Sequence, residues 1–189
     1  MKIELWKHPT EKDWLLCKKA ALLTVWKDTD TAPTFKWKVK MLKAMHSPIR
    51  LLNFMFYIED LPSYISVHFV RHIHSIPFVS SQRNDRQDMY DRKKAPQDAP
   101  VRMAWYMNAE ELINIAHKRL CTKADPDTRK VVERLCAEVL LTNPEFMDVL
   151  VPNCIYRNHL CTEFEPCMMY KNDYDIVCNL ADELECRKE

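Results

Sequence analysis

The chain contains no glycine, although average usage of about 7% would give about 13 in a chain of this length. Glycine-rich phosphate loops are therefore absent, including the G-x-G-x-x-G turn and the Walker-type loop. A nucleotide bound by such a chain must have its phosphates held by arginines and helix N-termini. The segment from Arg71 to Arg83 suits that task, because it places two arginines, two histidines and three serines directly after an apolar stretch.

Composition narrows the class of protein further. The 189 residues make one ordinary domain, and 47% hydrophobic content supports a real core. A net charge of +1 argues against nucleic-acid binding, which usually needs a strongly basic balance. Neither a signal peptide nor a membrane-spanning run is apparent, so we expect a cytoplasmic protein that does not bind membranes. In that compartment the eight cysteines are expected to be thiols or metal ligands rather than disulfides.

Hydrophobic patterning predicts an α+β fold, a single domain with a small, mainly antiparallel sheet surrounded by helices. We expect strands over 3–6 and 51–58, and helices over 11–25, 34–45, 63–72, 108–120 and 125–143. Asp60, followed by Leu61 and Pro62, is interpreted as the start of the third helix, which Pro77 stops. Residues 82–99 are expected to form an ordered loop, and the chain after Pro152 is loop-rich with an acidic helical end at 182–185.

Arg119 is the most informative single residue outside the segment from Arg71 to Arg83. Helical spacing puts it on one face with Leu112 and Ile115, so its guanidinium points toward packed structure. A buried unpaired charge is strongly destabilising, so this group needs an anionic or carbonyl partner. Two interpretations stay open: a structural pair with an Asp or Glu, and a contact to a bound ligand.

The histidines carry weaker signals. Helical spacing puts His68, Arg71 and His72 on one face. His72 is interpreted either as a structural residue, or as a catalytic base or nucleotide contact. Ser81 near His72 or His74 would permit Ser/His nucleophilic catalysis, but no nucleophile-elbow sequence accompanies it.

The C-terminal part contains Cys154, Cys161 and Cys167, with His159 between the first two. No C-x-x-C pair occurs there, so unligated thiols are the expectation and a structural zinc site at these three cysteines is the alternative. The arginines and lysines between Arg83 and Lys94 alternate with aspartates. Such a segment is a solvated loop, or one that closes over an anionic substrate, because arginine binds phosphate bidentately.

Together these residues resemble the flavin-dependent thymidylate synthases of the ThyX type, whose signature is R-H-R, seven residues and then S. Arg71-His72-Ile73 and Ser81 have that spacing, and Arg83 matches an arginine two positions beyond. His46-Ser47-Pro48 resembles the flavin-contacting [S/T]-P element of the family. Asn108-Ala109-x-x-Leu112-x-Asn114-x-x-x-x-Arg119 resembles its flavin- and substrate-contacting helix, and Arg92, with Pro96 four residues on, matches a phosphate-contacting arginine. The similarity covers about residues 45–140.

The resemblance implies a role for each matched position. Ser81, Arg83 and Arg92 would hold the phosphate of a substrate such as dUMP, with His68 and Arg71 also on the substrate side. Arg119 would be catalytic, lying against the pyrimidine carbonyl and N3 and favouring the polarised ring. The flavin contacts would be Ser47, Arg71, His72, Asn108 and Asn114.

The resemblance also implies the activity. The chain would convert dUMP to dTMP, with methylenetetrahydrofolate as carbon donor, reduced FAD as hydride source and NADPH as reductant. Such enzymes are homotetramers with active sites built across subunits. Residues 1–150 would form the catalytic, nucleotide-binding domain, and residues 151–189 a cysteine-containing extension packed on it.

Several positions depart from the family pattern. Ile73 replaces the second arginine of the motif, Val79 an acidic residue, Asn84 an aromatic one and Glu110 an arginine. Positions on the substrate side match better than those on the flavin side. Two alternatives therefore accompany the thymidylate synthase hypothesis: a related enzyme that modifies pyrimidine nucleotides at C5, for example by hydroxymethylation of dUMP or dCMP, and a non-catalytic nucleotide-binding protein on the same scaffold.

Overall fold

The computed structural model describes residues 1–83, 85, 91 and 93–167. Four strands form one antiparallel sheet: β1 (Lys2–Lys7), β2 (Asn53–Pro62), β3 (Ser75–Val79) and β4 (Pro100–Asn108). Their order is β1-β2-β4-β3. The accompanying α-helices are α1 (Glu11–Leu23), α2 (Phe35–Lys43), α3 (Ser63–Val70), α4 (Ala109–Arg119), α5 (Pro126–Leu140) and α6 (Asn153–Tyr156). The predicted α+β fold with an antiparallel sheet is confirmed.

One face of the sheet supplies much of the core. Alternate residues of the two central strands are buried, with Phe56 of β2 opposite Trp105 of β4. The apolar stripes of α4 and α5 belong to the same cluster of buried residues. This period-two burial is the pattern expected of an antiparallel sheet with one covered face.

The opposite face of the sheet is apolar but only partly covered. Tyr57 and Tyr106 are half-buried there, and Trp6 stacks on Tyr57 with ring centroids 4.7 Å apart. Ile76 and Phe78 of β3 pair with Tyr106 and Ala104, so they point to this face, and both are exposed. These residues and Met55 are called the open sheet face below.

Two features of the strands differ from the sequence prediction. The predicted helix cap at Asp60 is wrong, because β2 continues through this residue to Pro62. Asp60 has a positive φ of 56°, at the point where the register of β2 against β4 shifts. Pro77 does not stop a helix but lies inside β3, which occupies an edge of the sheet. An edge strand accommodates proline because the missing N–H need not pair with a neighbour.

Most helix boundaries agree with the prediction within two or three residues. The side chains of Asn108 and Asp125 cap α4 and α5, accepting hydrogen bonds from the backbone N–H groups of Glu111 and Thr128. Residues 80–99 connect β3 to β4 without regular structure in their described part. Beyond Pro152 the described chain contains only the short α6, and the predicted acidic helical end at 182–185 lies outside the described residues.

Three of the helices end at a left-handed residue that is not glycine. Trp26, Met45 and Asn158 take the left-handed conformation, with φ of 57°, 47° and 52°. Each sits at the position of a Schellman cap that glycine usually occupies. Each cap has two hydrogen bonds from a backbone N–H to a backbone carbonyl. They run from Lys27 to Leu22 and from Trp26 to Leu23, from His46 to Met41 and from Met45 to Leu42, and from His159 to Cys154 and from Asn158 to Ile155.

Among the described residues, no helix is both long and apolar enough to cross a membrane.

Candidate functional site

The C-terminal ends of α3 and α4 meet at Arg119. Its Nε donates to Nε2 of His72 at 3.2 Å, and its Nη2 donates to the backbone carbonyl of His68 at 3.2 Å. The i+4 spacing of His68 and His72 at the end of α3 brings both partners to the same guanidinium. Arg119, singled out on α4, and His68 and His72, predicted on one helix face, are therefore one cluster.

Glu111 completes this cluster from the first turn of α4. Its Oε1 lies 3.3 Å from Nδ1 of His72, and both side chains are buried. Arginine can only donate, so Nε2 of His72 must accept from Arg119 and carry no proton. With Nε2 accepting, the ring proton is carried by Nδ1, the nitrogen that lies within ion-pair distance of Glu111. Glu111 sits near the N-terminus of α4, where the helix dipole favours a negative charge.

Among the described residues, no carboxylate compensates the positive charge of Arg119. Burial lowers the pKa of the Arg119 guanidinium from its usual value, and the positive charge of nearby Arg71 lowers it further. Within the described part of the chain, neither arginine has a carboxylate at ion-pair distance. Two adjacent cations without an acidic partner favour the binding of an anion. Of the two interpretations of Arg119, the pair with an Asp or Glu is not found among the described residues, where an imidazole and a backbone carbonyl hold the guanidinium.

Hydrogen bonds from residues of the sheet hold the turn that carries Arg71 and His72. Nε1 of Trp105 donates to Oγ of Ser75 at 2.7 Å, and this hydroxyl donates to the backbone carbonyl of His72 at 2.6 Å. Trp105 also stacks on Phe69 of α3, with centroids 4.4 Å apart. Sequence reasoning missed Trp105, Ser75 and Glu111. Of these, only Glu111 carried a signal, as the acidic residue in the first turn of α4.

Ser81 and Arg83 lie in a different place. They line a cleft of about 300 Å³ between α3 and the chain that follows β3, together with Ser63, Ser66, Val67, Val70, Val79, Ser80, Gln82 and Val101. The cleft faces Ser63, Ser66, Val67 and Val70, whereas His68 and His72 occupy another face of α3. The Arg83 guanidinium pairs with Asp85 at 2.7 Å, and its backbone N–H donates to Oγ of Ser81 at 3.2 Å. Arg92, predicted to hold the same phosphate, lies outside the described residues.

Of the predicted flavin contacts, Arg71 and His72 lie beside Arg119, and the other three lie elsewhere. Ser47 is exposed at the start of a 3₁₀ helix, Ser47–Leu51. Asn108 uses its side-chain oxygen to cap α4, and Asn114 lines a separate pocket near α6. Glu110, which reverses the charge of the family pattern, pairs with Arg50, with Nη2 to Oε1 at 3.0 Å. This ion pair gives the departure at Glu110 a local structural role.

The candidate metal ligands are only partly together. Cys154 and Cys161 line the pocket near α6, whereas Cys167 is exposed and does not. His159 is exposed as well. No group of three or more histidine, cysteine, aspartate or glutamate side chains in the described ranges is arranged to hold a metal ion.

Comparison with known proteins gives a likeness of fold. Neither a protein-family model nor a curated protein matches the chain by sequence. Its structure is similar to that of the flavin-dependent thymidylate synthase ThyX from Helicobacter pylori complexed with FAD and dUMP. One structure of that enzyme has a TM-score of 0.57 and 15% identity, over 73% of this chain and 93% of the other. A second has a TM-score of 0.61 and 13% identity, over 82% and 99%. At these identities the likeness establishes that the chain has the ThyX fold.

Proposed function

We propose that this chain binds dUMP and methylates it to dTMP in the manner of a flavin-dependent thymidylate synthase. The observation that carries the proposal is Arg119, which His72 and the His68 carbonyl hold without a carboxylate at ion-pair distance in the part of the chain that the structure describes. A ThyX-like fold around such a group supports a nucleotide as the ligand. The carbon donor would be methylenetetrahydrofolate, and NADPH would be the reductant.

Arg119 is the proposed catalytic residue. A guanidinium against the pyrimidine carbonyl and N3 would stabilise negative charge on the ring as C5 becomes nucleophilic. Its two described contacts fix the orientation of the planar group before substrate arrives, so little reorganisation is needed on binding. His68 would contribute through its backbone carbonyl, which holds Nη2 of Arg119.

The substrate phosphate would be held by cations and by a serine hydroxyl. Arg71 adds a second positive charge beside Arg119. Ser81, Arg83 and Arg92 are the further proposed phosphate contacts. Because Ser81 and Arg83 line a cleft on another face of α3, they would act on a nucleotide bound to a neighbouring subunit.

FAD is the proposed cofactor, with Ser47, Arg71, His72, Asn108 and Asn114 as its contacts. Neither of the two pockets described above contains all five of these residues, so we propose that the flavin binds across subunits. Reduced flavin supplies the hydride in the enzymes that the chain resembles.

A homotetramer would resolve this incompleteness, because it builds each site from several chains. The open sheet face supports association, since it exposes Ile76 and Phe78 beside the half-buried Tyr57 and Tyr106. Ile73 is 83% exposed in the motif itself. Apolar surface that continues across neighbouring strands marks interaction sites.

Flavin loading and complementation test the proposed function. The purified full-length chain should acquire a flavin absorbance spectrum when reconstituted with FAD, and its gene should rescue a thymidine-requiring strain. Arg119→Ala should abolish rescue, while Arg102→Ala, at an exposed arginine of β4 that pairs with Glu59, should retain it. A colourless protein that cannot be loaded with FAD and does not rescue growth would contradict the proposal.

Product analysis separates the alternatives. Hydroxymethylated dUMP or dCMP would identify a related C5-modifying enzyme. Nucleotide binding without turnover would identify a non-catalytic protein, for which the exposed Ile73 and the Arg50–Glu110 ion pair at flavin-side positions are the supporting observations.

A further inference from the structure

Two side-chain hydrogen bonds fasten α3 to the first turn of α5. Oη of Tyr64 donates to Oδ2 of Asp127 at 3.1 Å. One turn later, Nδ1 of His68 lies 2.9 Å from Oγ1 of Thr128. Tyr64 and His68 are four residues apart, so the helix presents both on one side. His68 is thus tied to α5 through its ring and to Arg119 through its backbone carbonyl.

The hydroxyl of Thr128 has one proton, which it donates to Asp125. Oγ1 of Thr128 and its backbone N–H both donate to Oδ1 of Asp125, each at 2.8 Å. These two bonds, the backbone one first, lower the pKa of Asp125, so the acceptor is an ionised carboxylate, which can only accept. The oxygen of Thr128 is left to accept in turn. Nδ1 of His68 is therefore the donor in the bond between the two residues.

The second ring nitrogen of His68 is available to a ligand. Among the described residues Nε2 has no hydrogen-bond partner, and the half-buried side chain leaves this atom open to solvent. With the proton on Nδ1, a neutral imidazole has its lone pair on Nε2, which then accepts. Arg71 and Arg119 can only donate. The cluster at Arg119 thereby gains an acceptor that its arginines cannot supply.

Helix capping alone does not account for this arrangement. A cap needs only the carboxylate of Asp125 and the backbone N–H of Thr128. The fully buried Thr128 hydroxyl is an addition to the cap, and it extends the hydrogen-bonded chain from Asp125 to the ring of His68. Neither Thr128 nor Asp125 is among the positions that the family resemblance selected.

We infer that Thr128 and Asp125 are positioning residues, which hold the ring of His68 so that Nε2 accepts a hydrogen bond from a nucleotide bound at Arg119. The inference rests on the proposed function, because that function supplies the nucleotide. It adds to the site a chain of three residues from two helices. Through this chain, the start of α5 sets the orientation of a group that touches the ligand.

The partner of Nε2 must carry a proton. The phosphate of a nucleoside monophosphate has almost none left at about pH 8, because its second pKa is about 6. The remaining N–H and O–H groups of dUMP belong to the base and the sugar. His68 would therefore contact the nucleoside, while Arg71 and Arg119 attract the anionic and carbonyl oxygens of the same ligand.

Calorimetric titration of the full-length protein with dUMP tests the positioning role. Thr128→Val removes the hydroxyl and nearly keeps the volume, so it should weaken dUMP binding about fivefold, the effect of losing one hydrogen bond. Thr128→Ser keeps the hydroxyl and should bind as wild type does. Thr142→Val is the matched control, because the Thr142 hydroxyl also makes a hydrogen bond, at 3.1 Å to the carbonyl of Val139, just beyond the opposite end of α5. It should bind dUMP as wild type does.

A measurement on the unaltered protein covers the case in which Thr128→Val does not fold. Long-range ¹⁵N NMR at about pH 8, where an ordinary imidazole is neutral, should find the proton of His68 on Nδ1. Added dUMP should move the Nε2 resonance, whereas inorganic phosphate should not. The inference is overturned if Nδ1 carries no proton, if inorganic phosphate moves Nε2 as much as dUMP does, or if Thr128→Val weakens binding no more than Thr142→Val.

The same data separate this inference from the proposed function. If wild-type protein does not bind dUMP, the proposed function fails and the role of Thr128 fails with it. If dUMP binds but neither moves Nε2 of His68 nor responds to Thr128→Val, only the positioning role fails. If dUMP binds without being methylated, the proposed methylation fails, and the comparison of Thr128→Val with Thr128→Ser still decides the positioning role.

Discussion

At Arg119, the chemistry of the site depends on partners that are polar but uncharged. His72 accepts one of its hydrogen bonds and the His68 carbonyl accepts another. A carboxylate in either place would neutralise the guanidinium and leave little attraction for an anion. A neutral imidazole orients the group and keeps its charge available. The buried acid of the cluster, Glu111, lies on the far side of His72.

The sequence predicted part of this cluster. Helical spacing identified Arg119 as a buried cation in need of a partner, and it placed His68 and His72 on one face. The link from His72 to Glu111 could not be predicted, because it depends on how closely α3 approaches the first turn of α4. The contact between Ser75 and Trp105 could not be predicted for the same reason, because the two residues meet only when β3 pairs with β4.

The tautomer of His72 is a direct prediction of this geometry. Long-range ¹⁵N NMR of the full-length protein near neutral pH should find the proton on Nδ1 and none on Nε2. A proton on Nε2 would exclude the hydrogen bond from Arg119.

Removing the Glu111 carboxylate should destabilise the fold. Glu111→Ala removes the buried carboxylate that lies 3.3 Å from Nδ1 of His72, and loss of such a polar partner costs about 1–3 kcal/mol of unfolding free energy. Glu111→Gln keeps an acceptor oxygen and should lose less. Urea unfolding of the two variants provides the comparison. Equal stability of Glu111→Ala and wild type would show that this contact contributes nothing.

Among the elements, helices were easier to predict than strands. Caps such as Asn108 and Asp125 are local signals, because a side chain bonds the backbone three residues on. The edge strand β3 has no such signal, and Pro77 argued against it. β3 pairs with β4, whose residues are far from it in sequence. It therefore forms a strand only when the sheet has assembled.

The helix ends give a further prediction at this scale. Trp26 is 98% exposed in a left-handed conformation, so Trp26→Gly removes steric strain without removing packing. The gain should be up to about 1 kcal/mol of unfolding free energy, after the flexibility of glycine in the unfolded chain is included. Trp26→Ala is the matched control, since it keeps the Cβ and the strain. Thermal or urea unfolding in which the two variants are equally stable would contradict the role of the left-handed cap.

For the whole molecule, the open sheet face is the feature that composition alone could not reveal. Its residues come from all four strands, and only the register of the sheet puts them side by side. The sequence did predict the antiparallel sheet and its surrounding helices. A homotetramer was predicted only from the resemblance, and the open sheet face supplies a physical reason to expect association.

Charge placed on this face should disrupt assembly. Phe78→Asp puts a carboxylate on the open sheet face and should shift the protein toward smaller species. Phe35→Asp is a matched control, because Phe35 on α2 is 55% exposed against 57% for Phe78. Light scattering coupled to size-exclusion chromatography measures both masses. A wild-type monomer, or equal masses for the two variants, would contradict a role of this face in assembly.

The central claim is that Arg119 is oriented to receive a pyrimidine nucleotide, and calorimetric titration with dUMP tests it most directly. Wild-type protein should bind dUMP, and Arg119→Ala should weaken binding about tenfold or more, the effect of losing a charge-assisted hydrogen bond. Arg102→Ala should bind as wild type does. If wild-type protein does not bind dUMP, or if Arg119→Ala binds it equally well, the claim is wrong.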